Sequence, residues 1–169
     1  MSLSLSQADK LAAKIVAELK PFCERIEIAG SIRRRRPLVN DVDIVVLPLA
    51  GQVNALRERV LRKTDPISDG KEIILTCLAN GVQLDLWIAQ RPYKDLLTQT
   101  PTNFGVLFLT RTGSKEHNIF LCQRAESLGR RLNPHYGVYE HRRLLASETE
   151  EEIFAALKLE FVPPERRER

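Results

Sequence analysis

Apolar residues recur at helical spacing at Leu11, Ile15, Val16 and Leu19; Ser6 with Asp9 predicts a capping box ahead of them, and Pro21 closes the segment. From Arg25 to Ala29 the pattern changes to strict alternation, RIEIA, which marks a strand broken by Gly30-Ser31. Asp41 to Leu47, DVDIVVL, predicts a second strand stopped by Pro48. Helical spacing returns over Gln52 to Arg62, with Val53, Leu56, Val60 and Leu61 as the stripe. Two apolar runs, Glu72 to Ala79 and Val82 to Ala89, flank Asn80-Gly81, a strong signal for an antiparallel hairpin. Short helices are expected over Asp95 to Gln99 and Asn103 to Leu109. A longer one runs from Ser114 as N-cap to Leu128, with Gly129 as its stop. Tyr136 to Tyr139 and Arg142 to Ala146 read as a second small hairpin, and Ser147 with Glu150 opens a last helix that ends before Pro163-Pro164.

These elements predict an α+β fold in two unequal parts. Residues 1–90 form a mixed sheet with helices, and residues 91–169 are mostly helical with a short β-ribbon. With 169 residues, 43% hydrophobic and 28% charged, the chain is an ordinary globular protein and not a disordered tail. Twenty-six Lys and Arg against 22 Asp and Glu give +4, which permits a polyanionic partner without demanding one. The charge is uneven: Arg33, Arg34, Arg35 and Arg36 are consecutive, and Arg166, Arg167 and Arg169 crowd the end. Cys23, Cys77 and Cys122 are widely spaced, so neither a disulfide framework nor a zinc site is indicated; buried, reduced thiols are expected. No apolar signal core or membrane-spanning run is present, and the reading is a soluble, cytoplasmic protein.

Three carboxylates carry the candidate chemistry. Asp41 and Asp43 lie two apart on a strand, so both project from one face while Val42, Ile44 and Val46 point into the core. Held that close, they repel each other unless a cation neutralises them, and hard oxygen donors suit Mg²⁺ or Mn²⁺. Asp85 stands mid-strand in VQLDLWIA, where propensity and burial both oppose it, on the face of Gln83 and Trp87. If that strand lies beside the first, three carboxylates converge, enough to hold two metals about 4 Å apart for in-line phosphoryl transfer. Upstream, Gly30-Ser31 follows a strand directly. A glycine there lets the backbone approach a phosphate, and the hydroxyl and a following guanidinium would complete a triphosphate clamp.

AGSIRR followed by DVDIVVL and a later strand Asp resembles the nucleotidyltransferase signature. LTRTGSKEHN (109–118) and the tail GVYE…ASETEEEIFAALKLEFVPPERRE are similar to the corresponding segments of family X DNA polymerases, the polymerase beta-like group. The likeness runs from about residue 25 to the end. It implies a nucleotidyltransferase palm followed by a small C-terminal subdomain for nucleotide and template. It also implies Asp41, Asp43 and Asp85 as the catalytic, metal-binding triad, with Asp85 helping to deprotonate the primer 3′-hydroxyl. By the same resemblance Gly30, Ser31 and Arg34 bind the triphosphate, Gly113 and Asn118 lie near the incoming nucleotide, and Asn118 reaches the minor-groove edge of its base. An acceptor stands there in every base pair, so one amide can check pair geometry without choosing the letter. Arg33, Arg35, Arg36, Lys115 and Arg124 are candidates for DNA contacts, and a 5′-phosphate in a gap would add electrostatic grip.

The departures also carry expectations. Thr110 and Arg111 occupy the positions of an aromatic pair that excludes a ribose 2′-hydroxyl in many members, so ribonucleotides should be accepted better than by relatives. Cys122 stands where a basic residue often follows the family Asn, with Arg124 shifted nearby. The residues before Arg25 leave no room for helix-hairpin-helix or lyase modules, and the chain stops before a phosphoesterase domain. A bare catalytic palm with its C-terminal subdomain is the resulting picture, either naturally minimal or excised. The expected activity is DNA-directed addition of nucleotides to a primer 3′-end in short repair gaps, with pyrophosphate released and a repair protein as a possible partner. The alternative is template-independent transfer to RNA ends, a protein or a small molecule, for which TGSKEHN would be unneeded. A non-enzymatic nucleic-acid-binding module is disfavoured by the three carboxylates.

Overall fold

The computed structural model describes residues 2–62, 64–94 and 99–168. Strand β1 (Leu3–Ser4) leads into α1 (Leu5–Leu19). Then come β2 (Cys23–Ile28), the single-turn α2 (Gly30–Arg33), β3 (Leu38–Val39), β4 (Asp41–Pro48) and α3 (Val53–Leu61), followed by β5 (Asp65–Asp69), β6 (Ile73–Cys77) and β7 (Gln83–Ile88). A ribbon of β8 (Tyr93–Lys94) and β9 (Gln99–Thr100) precedes α4 (Phe104–Thr112) and α5 (Lys115–Ser127). Strands β10 (Arg130–Asn133), β11 (Gly137–Glu140) and β12 (Arg143–Ala146) and helix α6 (Glu150–Ala156) complete the chain. The helix expected over Asp95 to Gln99 lies outside the described residues except for Gln99, which is strand.

The central sheet has the order β2-β4-β7-β6-β5. Within it β4 and β7 run parallel and the other neighbours are antiparallel. The α+β class expected from the pattern is therefore the one observed. Alternation decides what each face does. Val42, Ile44 and Val46 of β4 and Leu84, Leu86 and Ile88 of β7 pack with Ala8, Ala12 and Leu19 of α1 and with Leu56 and Val60 of α3 in the first core. On the other face, Val45 and Leu47 meet Phe104, Leu107 and Phe108 of α4 in a seam. A second core joins Val106 and Leu109 of α4 to α5, the β10-β11-β12 ribbon and α6. Helix α4 is thus buried on both sides, which explains why its sequence is almost continuously apolar.

Several boundaries differ from those the sequence predicts. The capping box of α1 is Ser4 with Gln7, not Ser6 with Asp9. Pairing of Leu3 with Val39 fixes the extended backbone just ahead of Ser4, and no local pattern encodes that pairing. Asp9 faces Arg35 instead, 3.1 Å away. The 80–81 hairpin closes with a longer loop: Leu78 N–H donates to Val82 O (2.9 Å), and Gly81 takes the left-handed position at φ +79°. Helix α4 continues to Thr112. Thr149, not Ser147, caps α6, while the Ser147 hydroxyl donates to Thr102 O (2.9 Å). Helix α6 ends at Ala156, and Lys158 with φ +53° turns the chain away well before the prolines. Strand β10 makes the expected small hairpin three-stranded. Strand β5 is a further addition; its five residues are all exposed, it pairs with β6 at the sheet's rim, and its register shifts between Pro66 and Ser68. The three cysteines are free and only partly buried. Among the described residues no helix is long and apolar enough to cross a membrane.

Candidate active site

Parallel pairing of β4 with β7 sets Asp43 directly opposite Asp85 and Asp41 opposite Gln83. Because α4 covers Val45 and Leu47 but not the start of the strand, the carboxylates stand at the uncovered end of an otherwise packed face. Burial pushes Asp43 up to about 7, and the charges of Asp41 and Asp85 push the same way. Arg111 opposes the rise. The Trp87 indole N–H lies near the same carboxylate but makes no well-formed hydrogen bond, so its opposing effect is smaller than a formed bond would give. Asp85 is also raised, by burial first; a 2.7 Å hydrogen bond from Gln83 Nε2 to its Oδ1 resists, while the Asp41 charge adds to the rise and Arg111 subtracts from it.

Gly30 begins α2 immediately beside these groups. Its φ of +60° suits glycine, and a Cβ built there would lie 2.1 Å from Asp43 Oδ2 and 2.9 Å from Asp43 Cβ. Ala29 N–H donates to Asp43 O (2.9 Å), so the turn and the strand are pinned together. The Ser31 hydroxyl is buried without a hydrogen-bond partner among the described residues. A buried orphan hydroxyl beside a glycine turn fits an oxygen-rich ligand.

The arginine run divides. Arg33 turns inward, over the Phe108 ring at 3.6 Å, and donates to Thr112 Oγ1 (2.8 Å) and to both Glu150 oxygens (2.8 and 2.6 Å). Fully buried Arg167 binds the same carboxylate at 2.7 Å. Burial alone would raise Glu150, but the hydrogen bonds from Arg33 and Arg167 outweigh it and hold the carboxyl below its usual value. Arg34 donates to Thr112 O and, at 2.6 Å, to Glu168. Arg35 and Arg36 remain exposed, paired with Asp9 and with Glu168. Three of the four arginines thus pair with residues near the end of the chain, Arg33 and Arg34 by short hydrogen bonds and Arg36 by a looser, exposed ion pair. Glu150, Thr112 and Arg167 are partners that sequence spacing does not single out; only an Arg-rich tail beside a Pro-Pro turn hints at them.

A cleft of about 510 Å³ opens between Arg34, just past α2, and the end of α4 with α5, lined by Arg34, Thr110, Arg111, Gly113, Lys115 and Asn118 among others, with Cys122 one turn further along. Five of these six lie within residues 110–118, and the fold brings the remote Arg34 to them. Gly113 makes its close approach to Arg34: a Cβ there would sit 3.0 Å from the guanidinium. Ser114 caps α5 at His117 N–H (3.2 Å) while its hydroxyl donates to Arg167 O (2.6 Å). Asn118 Nδ2 donates to Thr110 O (2.7 Å), leaving its buried Oδ1 without a partner among the described residues. The Thr110 hydroxyl is turned back to Val106 O (2.7 Å), so no bulky side chain projects from that position. Arg124 lies apart from the cleft lining, donating to Leu157 O (3.0 Å) and Lys158 O (3.4 Å) beyond the end of α6.

Among the described residues, no three His, Cys, Asp or Glu side chains close into a ready-made metal cage. The donor chemistry nonetheless fits a divalent ion: the donors are carboxylate oxygens, crowded enough that one resists ionisation to about pH 7.

Comparison with known proteins agrees with this arrangement. The DNA polymerase beta thumb family matches residues 107–168. The DNA polymerase/3'-5' exonuclease PolX of Bacillus subtilis (strain 168) is 29% identical over 171 aligned positions, covering 97% of this chain. This chain spans 28% of that relative's length. The crystal structure of Leishmania infantum polymerase beta, a ternary P/T complex, shares the fold with a TM-score of 0.75 at 19% identity, over 100% of this chain and 77% of that one. The match to a polymerase beta thumb thus runs from within α4 to the tail, set against a sheet whose two parallel strands pair Asp43 with Asp85, and over its whole length the chain has the fold of the Leishmania polymerase beta.

Proposed function

We propose that the chain is a DNA-directed DNA polymerase of family X type that adds nucleotides to a primer 3′-end across short gaps in DNA repair. The observation that carries this reading is the Asp43–Asp85 pair at the uncovered end of β4 and β7, with Gly30 packed on Asp43 and the cleft alongside. Residues 1–90 act as the palm and residues 91–169 as the nucleotide- and template-binding part, each with its own core and joined along the α4 seam.

Asp41, Asp43 and Asp85 would hold Mg²⁺ or Mn²⁺, which when bound would supply charge neutralisation at the reacting phosphate. The protein's own share is positioning. The Gly30 turn, the free Ser31 hydroxyl and Arg34 receive the triphosphate; Gly113 shapes the wall beside it. Asn118 would meet the base pair from α5 with the second Nδ2 hydrogen, the first being held by Thr110 O, and Thr110 and Arg111 border the sugar. Asp85 takes the primer hydroxyl proton as that oxygen attacks the α-phosphate in line and pyrophosphate departs. Most of the rate gain would come from orientation and preorganised charge. Lys115, Arg35 and Arg36 are the exposed cations suited to the DNA backbone, whereas Arg33 and Arg124 serve it only indirectly, through the bonds that hold the fold. A repair protein as partner would add the grip that these few cations lack.

Extension of a primer across a one-nucleotide gap bearing a 5′-phosphate tests the reading, with each dNTP and NTP supplied separately and Asp85→Ala as the control. Incorporation should follow the template base, vanish in Asp85→Ala, and lose less on changing dNTP to NTP than in a member with the aromatic pair. Addition that ignores the template would replace this reading with that of a template-independent transferase. No addition to any DNA end would reject it.

A further inference from the structure

Arg111 stands apart from the other arginines of the site. Arg33, Arg34 and Arg167 are each committed to hydrogen-bonded partners: Glu150, the Thr112 carbonyl and Glu168. Arg111, in the last turn of α4, lies over the Trp87 ring, 3.6 Å from Cζ to the ring centroid. Its Nε–H is buried without a hydrogen-bond partner among the described residues. Trp87 follows Asp85 by two residues on β7, on the same face, and pairs across the sheet with Val45, two residues beyond Asp43. The cation is therefore parked one step along the sheet from the carboxylate pair. It lies within the field of Asp43 and Asp85, and of Glu72 on the far side. Stacking on an indole holds a guanidinium loosely, by an amount that a few ångströms of movement forfeits. Arg111 also lines the cleft with Gly113 and Lys115, which gives it somewhere to go.

We propose that Arg111 is a resident counter-cation of the Asp43–Asp85 pair. It rests on Trp87 while the carboxylates carry no divalent ion, and it leaves their field, toward the cleft, when one binds. The inference rests on the reading of those carboxylates as a metal site. Arg111 and the divalent ion then compete for the same negative field, and linkage makes the competition reciprocal: each weakens the other's hold by the same factor. The residue thus sets the concentration at which the ion is taken up. It is a positioning residue, acting through the carboxylates and not on the reacting atoms.

The sign of one measurement separates this from a merely structural role. Mn²⁺ binding is read by electron paramagnetic resonance of the free ion, on the whole chain without DNA or nucleotide. Arg111→Gln and Arg111→Ala should bind Mn²⁺ roughly tenfold more tightly than the parent, and Arg111→Lys should stay near it. A side chain that only props the wall would give unchanged or weaker binding on removal, and that result overturns the inference. Arg111→Gln keeps a planar amide over the indole and carries the test if the alanine variant does not fold. Trp87 is the single tryptophan, so its emission supplies a second readout. Saturating Mg²⁺ should shift emission in the parent and leave Arg111→Gln nearly unmoved; a parent spectrum unmoved by Mg²⁺ under conditions where Mn²⁺ binds also overturns it. If neither parent nor variants bind Mn²⁺, the metal reading falls and this inference with it. If the parent binds and Arg111→Gln binds no more tightly, only the inference falls.

Discussion

A carboxyl group ringed by other carboxylates and by packed side chains resists giving up its proton, and Asp43 meets both conditions. Its folded value, about 7, lies above the 3.8 of an unstrained aspartate. The folded state therefore keeps a proton that the unfolded chain has lost. Asp43 costs the fold nothing below about pH 4, an increasing amount from there to about 7, and its full penalty above 7. Asp43→Asn should accordingly raise the melting temperature of the metal-free protein at pH 8, by stability on the order of 3 kcal/mol, and leave it nearly unchanged at pH 4. Thermal unfolding of both proteins in chelator across that range is the check, and an equal shift at both ends would refute ionisation of Asp43 as the cause. The tension is the kind expected where a site is shaped for a ligand: an arrangement unfavourable by itself is relieved by what it binds.

At the level of elements, α4 decides the architecture. Its Gly105 sits against the loop ahead of α6: a Cβ there would come 2.3 Å from Thr149 N and 2.4 Å from Glu148 C, both backbone atoms with no easy retreat. Val106 N–H donates to Ser147 O (3.0 Å) at the same crossing. Gly→Ala inside a helix ordinarily stabilises by about 1 kcal/mol. Gly105→Ala should do the opposite and lower stability by about 2 kcal/mol or more, measured by urea unfolding. The sequence announces α4 as apolar and short, but not that two cores share it, because a helix buried on two sides has no amphipathic stripe to read. Elements with a local signature are legible: the alternation of β4, the Asn80-Gly81 hairpin, and the Ser114 cap with its Gly129 stop. Elements formed only by a distant partner are not. Leu3–Ser4 needs Leu38–Val39, Asp65–Asp69 needs β6, and Arg130–Asn133 needs β11. The candidate site divides the same way. Its carboxylates and glycine turn follow from spacing on the strands, whereas the inward turn of Arg33 toward Glu150 is a contact across 117 residues with no local trace.

For the whole molecule, a net charge of +4 and a handful of exposed cations near the cleft set a limit on unaided DNA binding. If Lys115, Arg35 and Arg36 neutralise about three phosphates, the logarithm of affinity should fall with that of salt at a slope of roughly −3. Fluorescence anisotropy on gapped DNA from low to moderate salt measures the slope, and a value beyond about −6 would mean a larger footprint than these residues provide. One further trait concerns the molecule's dealings with its own copies. One of the central sheet's two edge strands, Asp65–Asp69, offers open backbone on its free side. Such an edge invites strand-to-strand stacking into aggregates. Here it carries Pro66, which has no amide to lend, an irregular register beside it, and an aspartate at each end, with Arg57 clamping Asp69 from the neighbouring helix. A crowded, concentrated solution would find no template for sheet growth along this edge, the one farthest across the sheet from β2.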